Sequence, residues 1–126
     1  NLGHTFAHAL ERLTGYESAR LVHGEGVAIG LALAFRFSAR LGLCPGQDAG
    51  RVANHLALAG LPTRLQAVPG GCGGVDAILD AMAQDKKVRD GALTFILARG
   101  IGQSFIAPGI DRAEVKAFLT DELREA

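Results

Sequence analysis

Apolar side chains recur every three or four residues along most of this 126-residue chain, which is the spacing of one face of an α-helix. The pattern changes only in Ala92–Ala98 (ALTFILA) and Ser104–Ala107 (SFIA), which are rich in β-formers and flank a glycine-containing segment that suits a short hairpin. We therefore predict a mostly α-helical bundle with one small β-hairpin. The predicted helices cover residues 3–14, 23–41 and 47–59, and two more begin near Val75 and after Asp111, an N-cap that Glu114 would complete as a capping box.

The same periodicity predicts which side of each helix is buried. The expected inward-facing residues are Val27, Leu31, Phe35 and Ser38 in the second helix, Val52, Leu56 and Ala59 in the third, Val75, Ile78, Leu79 and Met82 in the fourth, and Val115, Phe118, Leu119 and Leu123 in the last.

Composition narrows the classes of function. With 48% apolar residues, residues 1–126 can form one domain with its own core. Thirteen basic residues balance thirteen acidic ones. The chain therefore lacks the excess of positive charge that attracts nucleic acid or an anionic membrane non-specifically. The uncharged run Gly26–Phe35 has ten residues, about half a membrane span. Cys44 and Cys72 form no CxxC motif, and no signal peptide is evident, so we expect reduced thiols in a cytoplasmic protein.

Two histidines stand four residues apart in the first predicted helix. His4 and His8 would share one helix face, which Glu11 continues a turn later, while Phe6 and Leu10 take another face. Such a pair is typical of zinc-binding helices, although the glutamate of an HExxH motif is missing. Spacing alone favours two partly exposed polar residues over a metal site.

A third histidine, His23, begins the long second helix, where exposed N–H groups disfavour a protonated imidazole. A neutral imidazole is what a metal requires, and Glu25 offers a carboxylate, but the ligand set remains one short.

Gly24, Gly26 and Gly30 also suggest a dinucleotide-binding loop. Without a βαβ unit around them, close helix packing is the better interpretation.

A basic cluster, Lys86, Lys87 and Arg89, follows the fourth helix. Such a run is usually a solvated helix end, but it can also grip a phosphate or carboxylate. His55 has no evident partner, and we interpret it as structural.

Taken together, the motifs resemble the C-terminal domain of the 3-dehydroquinate synthase family, within the sugar-phosphate cyclases. The matching segments, in family order, are NLGHTFAHALE, LVHGEGVAIG, LGL, AGLP, MAQDKKVRDG and LTFILARGIG. Ala7 departs from the glycine that the family usually has, a small-for-small change. The first two motifs together are highly specific.

The resemblance implies roles for individual residues. His4 and His23 look like two of three ligands of a catalytic zinc (cobalt fits nearly as well), which differs from the spacing-based pairing of His4 with His8. His8 looks like the catalytic residue that contacts substrate and handles protons. Further substrate contacts implied by the resemblance are Asn1, Lys86 and Lys87.

The resemblance also implies a missing part. The family binds NAD on an N-terminal α/β domain, which supplies a glutamate as the third metal ligand and is absent from this chain. The implied enzyme is a homodimeric carbon–oxygen lyase of the shikimate pathway of aromatic amino acid biosynthesis. It converts 3-deoxy-D-arabino-heptulosonate 7-phosphate to 3-dehydroquinate and phosphate, and we expect this chain to be inactive alone. Alternatives are another sugar-phosphate cyclase, a metal-dependent polyol dehydrogenase and a non-catalytic helical module.

Overall fold

A computed structural model describes residues 2–15, 23–68, 73–85 and 92–124. The elements in chain order are α1 (His4–Leu13), α2 (His23–Arg40), α3 (Gly46–Leu58), a short 3-10 helix (Leu65–Ala67), α4 (Val75–Asp85), β1 (Ala92–Gly100), β2 (Gln103–Asp111) and α5 (Arg112–Arg124). The predicted fold class, a mostly helical domain with one β-hairpin, is confirmed.

Helix α2 is the centre of the domain, since it packs against α1, α3 and β1. The sequence predicts one buried stripe along α2, but the buried surface of the helix is wider. Val27 and Leu31 of the predicted stripe are only half-buried, whereas Ile29, Leu33 and Phe37 are fully buried. Because neighbours cover α2 on several sides, its small and large apolar residues are buried almost all the way round.

Helix α3 lies at the edge of the domain. Of its residues only Ala49 is buried, and Val52 and Leu56 are half-buried. Ala59, predicted to face inward, is exposed and lies just past the end of the helix, so that prediction is wrong. A helix that contacts the domain along one side leaves most of its apolar positions in solvent.

The hairpin is longer than predicted, with nine residues in each strand. Strands β1 and β2 pair antiparallel around a turn at Ile101 and Gly102, where Gly102 takes a φ of 78° that favours glycine. Leu93, Phe95 and Leu97 alternate along β1 and are buried, so this face of the hairpin closes the core.

Four phenylalanines from four elements join in one aromatic cluster: Phe6 on α1, Phe37 on α2, Phe95 on β1 and Phe118 on α5. The Phe37 and Phe118 rings stack at 4.9 Å between centroids, and the Phe6 and Phe95 rings lie 5.5 Å apart. Aromatic pairs at these distances add to the burial energy of each ring. The cluster therefore anchors α1 against α2, the two helices that carry the histidines of interest.

Polar contacts hold α5 in place. The Ala113 N–H donates to Asp111 Oδ1 at 3.0 Å, which confirms Asp111 as the predicted N-cap, with the helix itself beginning at Arg112; the return contact of Glu114 that would complete a capping box stays a prediction. Arg36 of α2 pairs with the buried Glu122 of α5 at 2.8 Å.

Among the described residues, none of the helices is both long and apolar enough to cross a membrane.

Candidate functional site

The candidate site lies where α1 meets the N-terminal half of α2. The helices approach closely because two glycines face each other: a Cβ built on Gly30 would lie 2.3 Å from the Gly3 oxygen, and one on Gly3 would lie 2.6 Å from the Leu31 nitrogen. Gly3 also has a φ of 85°, which L side chains rarely adopt. Gly30 thus serves close helix packing, as its motif predicts, and it fixes α1 beside α2.

His4 and His8 occupy one face of α1, as their spacing predicts. Their rings stack, with centroids 5.3 Å apart and planes 5° from parallel. His4 is half-buried and His8 is exposed. Burial lowers the pKa of His4 from its ordinary 6.5, and the charge that His8 can carry lowers it further. This shift favours the neutral imidazole, which is the form that a metal ligand needs.

His23 at the start of α2 contacts Glu11 of α1. Their Nδ1 and Oε2 atoms are 2.9 Å apart. An ionised carboxylate can only accept, so Nδ1 carries the proton, and in the neutral imidazole the other ring nitrogen, Nε2, keeps the lone pair. The sequence offers Glu25 as a carboxylate for the site, whereas the structure brings Glu11 into contact with His23. The signal for Glu11 was its place on the same face of α1 as His4 and His8.

The structure therefore brings His4, His8, Glu11 and His23 into one region, since the His4 and His8 rings stack on the face of α1 that Glu11 continues, and His23 contacts Glu11. Neutral imidazoles of His4 and His23 suit zinc or cobalt as donors. Within the described parts of the chain, however, no group of three or more histidine, cysteine or acidic side chains is placed to hold a metal ion. The donor set fits a divalent cation only as a partial site that further ligands must complete.

The other predicted site residues, Asn1, Lys86 and Lys87, lie outside the described residues, as does Arg89. His55 lies exposed on α3. It lines an apolar groove with Leu58 and Ile101.

A family model described as 3-dehydroquinate synthase C-terminal matches residues 1–88, which is more than half of the chain. The chain belongs to the 3-dehydroquinate synthase C-terminal family. The resemblance read from the motifs is thereby confirmed, and the matched range includes all of the predicted site residues.

Members of this family resemble the chain along nearly its whole length. It is 62% identical to the 3-dehydroquinate synthase of Brucella anthropi over 98% of the chain, and 59% identical to that of Rhizobium meliloti over 97%. In both cases it spans 32% of the relative, about a third of its length.

Two solved synthase structures share the fold. A 2-deoxy-scyllo-inosose synthase, complexed with carbaglucose-6-phosphate, NAD+ and Co2+, matches with a TM-score of 0.78 and 25% identity, covering 96% of this chain and 34% of that one. A 2-epi-5-epi-valiolone synthase from Streptomyces hygroscopicus, with NAD+ and Zn2+ bound, matches with a TM-score of 0.77 and 29% identity, covering 99% and 32%.

Proposed function

We propose that this chain is the metal- and substrate-binding domain of a 3-dehydroquinate synthase, which converts 3-deoxy-D-arabino-heptulosonate 7-phosphate to 3-dehydroquinate and phosphate. The observation that carries the proposal is 57–62% identity along 97–98% of the chain to proteins of that name. The inosose and valiolone synthases are only 25% and 29% identical, which favours dehydroquinate synthase over the other cyclases.

The proposed whole enzyme is longer than this chain, which spans about 32% of its relatives. We propose that an N-terminal domain binds NAD and supplies a glutamate as the third metal ligand. The shortage of ligands among the described residues supports this division, because two imidazoles alone make a weak and incomplete site. We further propose a cytoplasmic homodimer, with this chain inactive by itself.

Within this domain, the proposed metal ligands are His4 and His23, through neutral imidazoles. When bound, the cation supplies Lewis-acid polarisation of substrate oxygens, and NAD supplies reversible oxidation of a hydroxyl. The support for His4 is its lowered pKa, and for His23 the contact of Nδ1 with Glu11, which leaves Nε2 as the donor atom.

His8 is the proposed proton carrier. It lies one helical turn from His4, is exposed, and stacks on the His4 ring, so its position relative to the metal ligand is defined. A neutral imidazole there can accept a substrate proton at a ring nitrogen and return it near neutral pH. Asn1, Lys86 and Lys87 are the proposed contacts to the substrate's hydroxyl and anionic groups.

The direct test supplies the full-length protein with the heptulosonate phosphate, NAD and Zn2+, and measures phosphate release. We expect turnover that a chelator abolishes and added zinc restores. No phosphate release by the metal-loaded protein contradicts the assignment.

Variants separate the roles of the histidines. His4→Ala should lose zinc as well as activity. His8→Ala should keep its zinc while kcat falls by about 10²–10⁴, the usual contribution of a general acid–base. His55→Ala, which removes an imidazole from α3, is the matched control and should keep both.

A further inference from the structure

We propose that Glu11 is a positioning residue that orients the His23 imidazole toward the cation without contacting the metal itself. This inference rests on the proposed function, in which His23 is a ligand. Nothing in the family motifs assigned Glu11 a role.

The geometry joins two helices at one point. Glu11 lies seven residues after His4 and three after His8, so the three share one face of α1, and its Oε2 accepts from His23 Nδ1 at 2.9 Å. Helix α1 therefore carries one proposed ligand, His4, and also the group that orients the other. The close packing of Gly3 against Gly30 keeps this arrangement in register.

The exposed fractions of the two side chains indicate that Glu11 restrains the position of the His23 ring. The Glu11 side chain is 18% exposed, whereas the His23 side chain is 66% exposed. A ring so open to solvent at the first residue of a helix has few packing contacts to select its rotamer. The half-buried carboxylate supplies the missing restraint, and ordering the ring before binding reduces the entropy lost when it binds.

The chemistry follows from the two nitrogens of imidazole. A carboxylate that accepts from Nδ1–H fixes the tautomer with the lone pair on Nε2 and makes that nitrogen more basic. Metal-bound histidines commonly have such a partner, and its loss typically weakens metal binding about 10–100-fold. A negative charge beside the site also favours a divalent cation.

The test measures zinc affinity of the full-length protein by competition with a chromophoric chelator, and records the visible spectrum of the Co2+-loaded protein. Glu11→Ala should raise the zinc dissociation constant about 10–100-fold. Glu11→Gln should raise it less, because the amide oxygen still accepts from Nδ1–H. The cobalt spectrum of Glu11→Gln should retain the wild-type band positions, since no ligand is lost.

Asp121→Asn is the matched control. It also removes a carboxylate that pairs with a side chain of α2, Arg40, which lies 17 residues from His23. That separation is about 25 Å along the helix. This variant should bind zinc as the wild type does.

Two results overturn the positioning role: Glu11→Ala binding zinc within threefold of wild type, or Glu11→Gln changing the cobalt spectrum as His23→Ala does, which makes Glu11 a direct ligand. Wild-type zinc affinity in His4→Ala and His23→Ala instead overturns the proposed metal site, and the positioning role with it. The two failures are therefore distinguishable.

Discussion

A single methyl group at Gly30 should separate the two helices that form the site. In Gly30→Ala the new Cβ would lie 2.3 Å from the Gly3 oxygen and 3.0 Å from the Ala7 nitrogen, where ordinary contacts begin near 3.4 Å. Both neighbours are backbone atoms, and they are the two ends of the hydrogen bond that opens α1, Ala7 N–H to Gly3 O at 2.9 Å. No rotamer change relieves the overlap, so α1 must retreat by about 1 Å.

The magnitude follows from two opposing effects. Overpacking a well-packed interface costs about 1–3 kcal/mol and occasionally more, and a backbone clash belongs at the upper end. Alanine is a better helix former than glycine by about 0.8–1 kcal/mol, which offsets part of the cost. We expect a net loss of about 2 kcal/mol in the free energy of unfolding, or about 8 °C in Tm for a domain of this size.

The assay is urea unfolding followed by far-UV circular dichroism. Gly50→Ala is the matched control, because Gly50 lies inside α3 with nothing within 4 Å of its built Cβ, and it should gain up to about 1 kcal/mol. In Gly30→Ala the retreat of α1 should also break the contact between Glu11 and His23 and weaken zinc binding. An unfolding midpoint for Gly30→Ala at or above that of the wild type would refute the close-packing argument.

Three further predictions concern ionisable groups. Arg36→Met should lower the free energy of unfolding by about 2–3 kcal/mol in urea titrations at pH 7, because Glu122, only 9% exposed, loses its 2.8 Å partner and keeps the more distant Arg64, at 3.7 Å; an unchanged midpoint contradicts this. Burial raises the pKa of Cys44 above its ordinary 9.0, so the folded chain keeps a proton that the unfolded chain releases. Stability should therefore fall as pH rises through 9, and alkylation of the Cys44 peptide, followed by mass spectrometry, should be much slower without urea than with it. His8→Ala should raise the pKa of His4 toward 6.5 in NMR titrations of the metal-free protein, since it removes a like charge; a fall would contradict the electrostatic cause.

The local hydrophobic pattern was sufficient to predict which segments form helices and which form strands. The helices around His4 and Val75 and the hairpin after Ala92 lie where the periodicity predicts them, because each depends on residues near in sequence. The hairpin's full length was not predictable, since Gly100 and Gln103 carry no strand signal and pair only because β1 and β2 continue around a tight turn. Likewise, the exposure of Ala59 depends on how little of α3 the rest of the domain covers.

The sequence by itself determined that one helix carries two imidazoles and a carboxylate on one face, since i, i+3 and i+4 positions coincide in any α-helix. Its motifs also identified the family. Only the tertiary structure decided that Glu11 meets His23 and that Gly3 meets Gly30. Each of these contacts joins α1 to α2, and no local rule fixes the distance between residues on separate helices. That distance is set by the packing of the whole core.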